Sequence, residues 1–215
     1  MQSAIPKQFL FLDDKPVLAH TLTNLLRSPA IAELIIVVPA EYLESLLLKA
    51  CLPRATIPLK LVQGGRERQD SVHNALQVVN DAAELILVQD GVRPFITPAM
   101  IAESIHQCAV YDGAVTAIPI YDTVKKVQNG KIVATLSRGE IYLAQTPQTF
   151  RRSILLKAYQ QAYVDGYYGT DDATLVEKIG GQVTIIAGTW TNIKITCQND
   201  LEVAKSILKR KEFEF

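Results

Sequence analysis

The stretch Leu85-Ile86-Leu87-Val88-Gln89-Asp90-Gly91-Val92-Arg93-Pro94 decides the fold. Its four consecutive apolar residues, bounded by polar ones, are typical of a strand buried on both faces of a parallel sheet. The strand then ends on an acid, a glycine and an arginine. Ligands of open α/β sheets bind beyond the carboxyl ends of the strands, so Asp90 and Arg93 are candidate ligand-binding residues. The alternative is a turn in which the two side chains pair with each other or cap the next helix.

Outward from this strand, apolar runs and helical patterns alternate along the first 120 residues. This alternation predicts an α/β fold with a doubly wound, mostly parallel sheet. Strands are predicted at 34–38, 59–62, 85–88 and 114–118, and helices at Pro16–Arg27, Glu41–Ala50, Ser71–Val79 and Pro98–Val110, with Thr97 as an N-cap.

The alternation breaks after Pro119, where two strand-like runs flank Asn129-Gly130, a strong hairpin signal. An isolated hairpin is marginal in water, so we predict an arm over 120–140 that projects against a second subunit. The alternative is a hairpin folded back on its own sheet. Further helices are predicted near Ser153–Val164, Asp171–Ile179 and Asn199–Lys209, a strand at Gln182–Ala187, and strand-like alternation at Asn192–Thr196.

Composition narrows the class of protein. The 215 residues are enough for a single domain over 1–215. Lys+Arg and Asp+Glu balance at 22 each, so there is no bulk electrostatic argument for nucleic acid or a membrane surface. No apolar run approaches the roughly 18 residues of a spanning helix, and the start of the chain does not resemble a signal peptide. With three widely spaced cysteines, the sequence predicts a cytoplasmic protein.

Several polar motifs could carry chemistry, although each also has a plain structural interpretation. Gly64-Gly65 opens a loop that ends at Ser71, and such loops expose amides that read a base edge or a phosphate, or simply make a tight turn. Thr170-Asp171-Asp172 fits an N-cap with acids in the first helical turn better than a site. Lys7, in a loop before the first helix, is either a surface residue or a functional one.

Taken together and in order, these motifs are far more specific. The chain resembles the 2-C-methyl-D-erythritol 4-phosphate cytidylyltransferases, which are Rossmann-like nucleotidyltransferases, from Pro6 to about Ala204. Ribitol-5-phosphate cytidylyltransferases share most of the motifs, but the stretch from Thr170 to Glu177 is more similar to the methylerythritol branch. The resemblance rests on Pro6-Lys7-Gln8-Phe9, Gly64-Gly65, Asp70-Ser71-Val72, Gln89–Pro94, Asp122-Thr123, Gln145–Gln148, Thr170–Ala173 and Asn192–Thr196.

The resemblance implies attack of a sugar-alcohol phosphate on the α-phosphorus of CTP, which gives a CDP-sugar alcohol and pyrophosphate. It implies a homodimer built through the 120–140 arm, and Mg²⁺ held with CTP by Asp90. The implied catalytic residues are Lys7, Arg138 and Lys194. The implied substrate-binding residues are Gly65 and Ser71 for cytosine, Asp90, Arg93, Thr146 and Thr170 around the phosphates, and Thr123, which like Arg138 serves the neighbouring subunit's site.

Two features depart from the family pattern. Arg66 stands where the best-known members place a carboxylate, so base recognition is expected to differ in detail.

Family members also begin with a strand and a G-x-G-x-R-M loop that wraps the triphosphate, which the sequence from Met1 lacks. Loss of a central strand leaves unpaired backbone groups, each costing about 1–3 kcal/mol. We expect a start assigned too late, and the chain from Met1 to be inactive with CTP. A catalytically silent nucleotide- or sugar-phosphate-binding protein is the alternative.

Overall fold

The computed structural model describes residues 5–54 and 56–210. The expected segment before Met1 lies outside these residues. The strands are β1 Phe11–Leu12, β2 Lys15–Pro16, β3 Leu34–Val38, β4 Leu59–Gln63, β5 Leu85–Val88, β6 Gly113–Pro119, β7 Val124–Gln128, β8 Lys131–Leu136, β9 Tyr142–Arg151 and β10 Val183–Ala187. The helices are α1 Val17–Leu25, α2 Leu46–Cys51, α3 Arg68–Leu76, α4 Pro98–Gln107, α5 Arg152–Val164, α6 Asp172–Lys178 and α7 Gln198–Lys209.

The main sheet has the strand order β10-β6-β9-β5, and β3 pairs in parallel with β4 beside it. Strands β5, β6 and β10 run in one direction, because β10 is parallel to β6 while β9 is antiparallel to both β6 and β5. The α/β fold with mostly parallel strands is therefore confirmed. Strand β9 was not predicted, since its middle, Gln145–Thr149, is rich in polar residues that are buried here and hydrogen-bonded.

Two local predictions are wrong. The helix predicted over Glu41–Ala50 is a 3₁₀ turn at Ala40–Tyr42 followed by α2, because the Ser45 hydroxyl accepts a hydrogen bond from the Leu48 amide and starts a new helix there. The alternating segment Asn192–Thr196 is not a strand. It is a loop whose Ile195 amide donates to the Val92 carbonyl, 2.9 Å away.

The apolar core is divided between the two parts of the sheet. One cluster joins α1, β3 and α2 around Leu22, Ile36 and Leu48. A second joins β9, α5 and α6 around Phe150 and Leu155. Strand β5 lies between them, yet all four of its residues are only half-buried. The prediction of burial on both faces is therefore wrong, because β5 and β3 flank a cavity of about 730 Å³.

The hairpin predicted around Asn129-Gly130 is confirmed as β7 and β8. Asn129 and Gly130 both have positive φ, 49° and 75°, as a tight hairpin turn requires. Its Val127, Ile132 and Val133 side chains are exposed. Its role as a dimer arm stays a prediction. Over residues 5–54 and 56–210, no helix combines the length and apolarity that crossing a bilayer requires.

The three cysteines should differ sharply in reactivity. Cys51 and Cys108 are only 2% and 4% exposed, and burial raises the pKa of each thiol to about 11. Cys197 is exposed. Since the thiolate is the reactive form, we expect Ellman's reagent at pH 8 to titrate one thiol per folded chain and three after denaturation. Cys197→Ser should abolish the fast reaction. Rapid labelling of two thiols in the folded protein would contradict this burial.

Candidate functional site

Asp90 is the centre of the candidate site. It follows β5, and its backbone amide donates to the Thr146 hydroxyl on β9, 3.0 Å away. Its carboxylate is surrounded by cations from three parts of the chain. Lys194 Nζ lies 3.1 Å and Arg93 Nε 3.2 Å from Oδ2, and Arg68 Nε lies 3.8 Å from Oδ1. The structure thus brings together Asp90, Arg93, Thr146 and Lys194, as expected from the sequence.

These cations keep Asp90 ionised. Its side chain is only 12% exposed, and this burial by itself would raise the pKa. The charges of Lys194, Arg68 and Arg93 outweigh the burial and hold the pKa of the Asp90 carboxyl below its usual value. Ionised Asp90 in turn anchors three cations that would otherwise repel one another.

Arg93 is part of the framework of the site. It is 8% exposed, and besides Asp90 it donates from Nη1 to the carbonyl of Asn192, 2.7 Å away. Burial lowers the pKa of the Arg93 guanidinium, partly offset by Asp90. The Asn192 amide group donates to Gln145 Oε1 and to the Thr146 carbonyl, at 3.1 and 2.9 Å. These contacts fix the loop that carries Lys194. The pairing of Asp90 with Arg93, the plainer interpretation of the sequence, is real and coexists with the wider cluster.

Arg68 is held by a second, buried carboxylate. Its Nη2 donates to Asp172 Oδ2 at 2.6 Å, and the Tyr159 hydroxyl donates to Asp172 Oδ1 at 2.5 Å. Asp172 is fully buried. Burial would lower the pKa of Arg68, but Asp172 and Asp90 outweigh it and raise that pKa. Asp172 thereby fixes Arg68 beside Asp90.

The loop before α3 presents ordered amides. The Gly65 amide donates to the Ser71 hydroxyl, which donates to the Glu67 carbonyl, both at 3.1 Å. A Cβ on Gly65 would come within 2.2 Å of the Asp70 Cβ, so this position requires glycine. Asp70 accepts from the Glu67 amide and from two tyrosine hydroxyls, Tyr163 and Tyr168. The loop is therefore a capped, preformed turn with an open face.

The remaining predicted site residues lie outside this cluster and are exposed. Thr170 precedes α6 but is not its N-cap. Asp171, expected as a first-turn acid, is the N-cap instead and accepts from the Thr174 amide at 3.0 Å. Lys7 lies in the 3₁₀ turn Lys7–Phe9, anchored by buried Phe9. Arg138 lies just past the hairpin and donates to the Tyr121 carbonyl at 2.6 Å, near Thr123. No contact within the described chain joins these residues to Asp90.

Asp90 is also the only predicted metal ligand. Within the part of the chain that the structure describes, no group of three His, Cys, Asp or Glu side chains is arranged to hold a metal ion. Mg²⁺ commonly uses only one or two carboxylates, together with substrate phosphates and water. The Asp90 carboxylate is kept ionised, as a Mg²⁺ ligand must be, so it fits Mg²⁺ brought with a nucleotide.

Sequence reasoning did not assign Arg68 and Asp172 to the site. Arg68 lay inside the recognised Gly64–Ser71 motif without a role, and Asp172 looked like an ordinary first-turn acid. Their pairing spans 104 positions, so no local spacing signals it.

The fold and the site define the class of protein. Cations that converge on one carboxylate, at the carboxyl ends of parallel strands and beside a loop of ordered amides, suit an enzyme that handles nucleotide phosphates. In this fold the combination is that of a nucleotidyltransferase.

Comparison with known proteins gives the family. The family model for 2-C-methyl-D-erythritol 4-phosphate cytidylyltransferase matches residues 1–210. The enzyme of that name from Syntrophus aciditrophicus is 44% identical over 214 residues, covering 99% of this chain and 92% of the relative. The one from Bacillus cereus strain ATCC 10987 is 40% identical over 205 residues, covering 94% and 89%. The chain belongs to this cytidylyltransferase family.

Solved structures agree. The 4-diphosphocytidyl-2C-methyl-D-erythritol synthase of Anaerococcus prevotii superposes with a TM-score of 0.88 at 28% identity, covering 94% of this chain and 93% of that one. The 2-C-methyl-D-erythritol 4-phosphate cytidylyltransferase of Thermus thermophilus superposes with a TM-score of 0.80 at 28% identity, covering 96% and 95%. The expected nucleotidyltransferase fold is thereby confirmed.

Proposed function

We propose that this chain transfers the cytidylyl group of CTP to 2-C-methyl-D-erythritol 4-phosphate, giving CDP-methylerythritol and pyrophosphate in the non-mevalonate route to isoprenoid precursors. Family membership supports the reaction. The observation that carries it is the position of Lys194, which is 39% exposed while its Nζ contacts buried Asp90. The ammonium is thus fixed at its inner side and open to an incoming phosphate on the other.

The chemistry needs positive charge more than a nucleophilic side chain, because the phosphate of the sugar alcohol is itself the nucleophile. Attack on the α-phosphorus crowds anionic oxygens together, and preorganised cations stabilise that charge. The cluster holds Arg68, Arg93 and Lys194 against Asp90 and Asp172. Three positive and two negative charges leave one net positive charge. We assign Lys194 and Arg138 to the sugar phosphate, and Lys7 to the transition state.

Nucleotide binding would use other surfaces of the site. Gly65 and Ser71 lie on the preformed turn, and we assign them to cytosine. Thr146 and Thr170 are assigned to the phosphates. Asp90 would hold Mg²⁺, which when bound neutralises triphosphate charge. Arg93, buried and committed to Asp90 and Asn192, orients these groups. The three free cysteines support a reducing, cytoplasmic location.

The arm suggests a homodimer in which Thr123 and Arg138 serve the neighbouring subunit's site. Both residues are exposed beside the hairpin, and among the described residues neither contacts a member of the Asp90 cluster. The hairpin also exposes Ile132, at 65%, an apolar surface that a second subunit would cover.

We therefore expect Ile132→Asp to shift a dimer toward monomer at micromolar concentration, measured by light scattering. In a catalytically active form, turnover should fall in parallel. A buried charge in an apolar interface is costly. The matched control is Lys131→Asp on the neighbouring exposed residue, which should leave the mass unchanged. A fully active monomer of the parent chain would contradict the arm's role.

The reaction is tested by pyrophosphate release from CTP with methylerythritol phosphate or with ribitol 5-phosphate. The assay should use a form that carries the family's strand and glycine-rich loop at its amino end. We expect turnover with methylerythritol phosphate in that form. Preference for ribitol phosphate would move the chain to that branch. Nucleotide binding without turnover on either sugar phosphate would favour a silent binding protein.

A further inference from the structure

The first turn of α3 is tied to one distant segment of the chain, residues 163–169. The Gln69 side chain donates from Nε2 to the Tyr167 carbonyl at 3.0 Å, and its Oε1 accepts from the Gly169 amide at 2.9 Å. The next residue, Asp70, accepts from two tyrosine hydroxyls of the same segment. Two consecutive residues of α3 are therefore bonded to the end of α5 and the loop that follows it.

Asp70 is the centre of this connection. The Tyr163 hydroxyl donates to its Oδ1 at 2.6 Å and the Tyr168 hydroxyl at 3.1 Å, while Oδ2 accepts from the Glu67 amide at 3.0 Å. The Tyr163 hydroxyl holds the pKa of the Asp70 carboxyl below its usual value. Both tyrosines thus donate to an ionised acceptor, which strengthens the hydrogen bonds. We call Tyr163, Asp70 and Tyr168 the tyrosine clamp.

The tyrosine clamp lies directly against the turn that we assign to cytosine. A Cβ on Gly65 would come within 2.2 Å of the Asp70 Cβ, so the two residues are in contact. Ser71, the residue after Asp70, accepts from the Gly65 amide at 3.1 Å. A shift of Asp70 would therefore displace Gly65 and Ser71 together.

The two tyrosine rings are supported by each other and by α3. The Tyr163 ring lies 4.6 Å from the ring of His73, one turn beyond Asp70, and meets the Tyr168 ring edge-on at 6.4 Å. Such ring pairs are favourable beyond the area that they bury. Tyr163 and Tyr168 are nevertheless 37% and 52% exposed, so neither belongs to the apolar core. Their hydroxyls act at the rim of the site.

We propose that Tyr163 and Tyr168 are positioning residues for the base of CTP, acting through Asp70. The inference rests on the proposed function, because it takes Gly65 and Ser71 as the cytosine site. A turn that is already ordered before the ligand arrives saves the cost of ordering it on binding. Without the two hydroxyls, CTP would have to order the turn itself. The loss should therefore appear in base-dependent affinity and leave the chemical step unchanged.

The test measures the affinity for CTP and for inorganic triphosphate by calorimetry, and turnover, on the catalytically active form. Tyr163→Phe/Tyr168→Phe keeps both rings and removes both hydroxyls. We expect the Kd for CTP to rise by about 10-fold, while the Kd for inorganic triphosphate and kcat at saturating CTP stay at the parent values. The matched control is Tyr111→Phe, which precedes β6 at the opposite end of the sheet and should change none of the three.

A mutant cycle then tests the role of Asp70. Asp70→Ala should raise the Kd for CTP, and adding the two tyrosine changes to it should have no further effect, because the residues act as one unit. Additive effects would overturn the proposal, and so would an equal loss of affinity for inorganic triphosphate. If the double tyrosine variant melts below the parent, Tyr168→Phe alone should still raise the Kd for CTP by about threefold, and an unchanged Kd would overturn the proposal.

The same measurements keep this proposal apart from the proposed reaction. Turnover of the parent tests the reaction, whereas the ratio of CTP affinities between variant and parent tests the tyrosine clamp. A parent that binds CTP without transferring the cytidylyl group would contradict the reaction, and a 10-fold weaker CTP affinity in the double variant would still support the clamp.

Discussion

Replacing Lys194 with alanine is expected to lower turnover at saturating CTP and sugar phosphate by about 10- to 100-fold. The physical reason is the loss of a charge-assisted phosphate contact, which contributes about 1.5–3 kcal/mol. CTP affinity should change little, because in our assignment the lysine contacts the sugar phosphate. The measurement is pyrophosphate release, with CTP binding followed separately by calorimetry on the catalytically active form.

Lys194→Ala should also move the acidic limb of the pH–rate profile to higher pH. Lys194 is the strongest of the charges that depress the pKa of Asp90, so its removal lets that pKa rise. Ionised Asp90 stabilises the folded site. That stabilisation is complete above the pKa of aspartate in the unfolded chain, and it is lost as the pH falls through the lower pKa of Asp90 in the folded protein. The loss should therefore begin at higher pH in the variant. The control is Lys205→Ala, an exposed lysine paired with Glu202. Unchanged turnover in Lys194→Ala would refute the assignment.

Sequence reasoning performed best where local chemistry decides the structure. The hairpin depends on Asn129-Gly130 and the start of α4 on Thr97, whose hydroxyl accepts from the Met100 amide. The sequence therefore specifies both locally. The ordered motifs also identified Asp90 and Lys194, which the structure brings within 3.1 Å of each other.

Sequence reasoning failed where a buried polar side chain is satisfied by a partner that is distant along the chain. Strand β9 carries buried Gln145 and Gln148, residues that read as a loop until their partners on other elements are known. Asp172 looked like a helix-start acid because its partner Arg68 lies 104 positions away. The half-burial of β5 had a different cause. Its apolar run did predict two covered faces, but the cavity of about 730 Å³ between β3 and β5 leaves the described strand only half-buried.

The buried carboxylate of Asp172 should be the most sensitive position for stability. Asp172→Ala removes the partner of both Arg68 and Tyr159, and leaves the partly buried Arg68 guanidinium, 36% exposed, without its nearest counter-charge. Breaking a fully buried ion pair on one side costs about 3–5 kcal/mol, and solvent around Arg68 reduces that cost. We expect the free energy of unfolding in urea to fall by an amount toward the lower end of that range. Tyr159→Phe, which loses one hydrogen bond to a charged group, should cost about 1.5–3 kcal/mol.

The matched control for Asp172→Ala is Asp165→Ala, since Asp165 is partly exposed and pairs loosely with Lys178 at 3.6 Å. Such pairs contribute at most about 1 kcal/mol. Because Tyr159 and Arg68 share one carboxylate, the double variant Asp172→Ala/Tyr159→Phe should be less unstable than the sum of the single changes. Strict additivity, or a loss in Asp172→Ala no larger than in Asp165→Ala, would mean that Asp172 does not couple the two. In that case Arg68 would be held beside Asp90 by the loop alone, and its position would not depend on the α6 carboxylate.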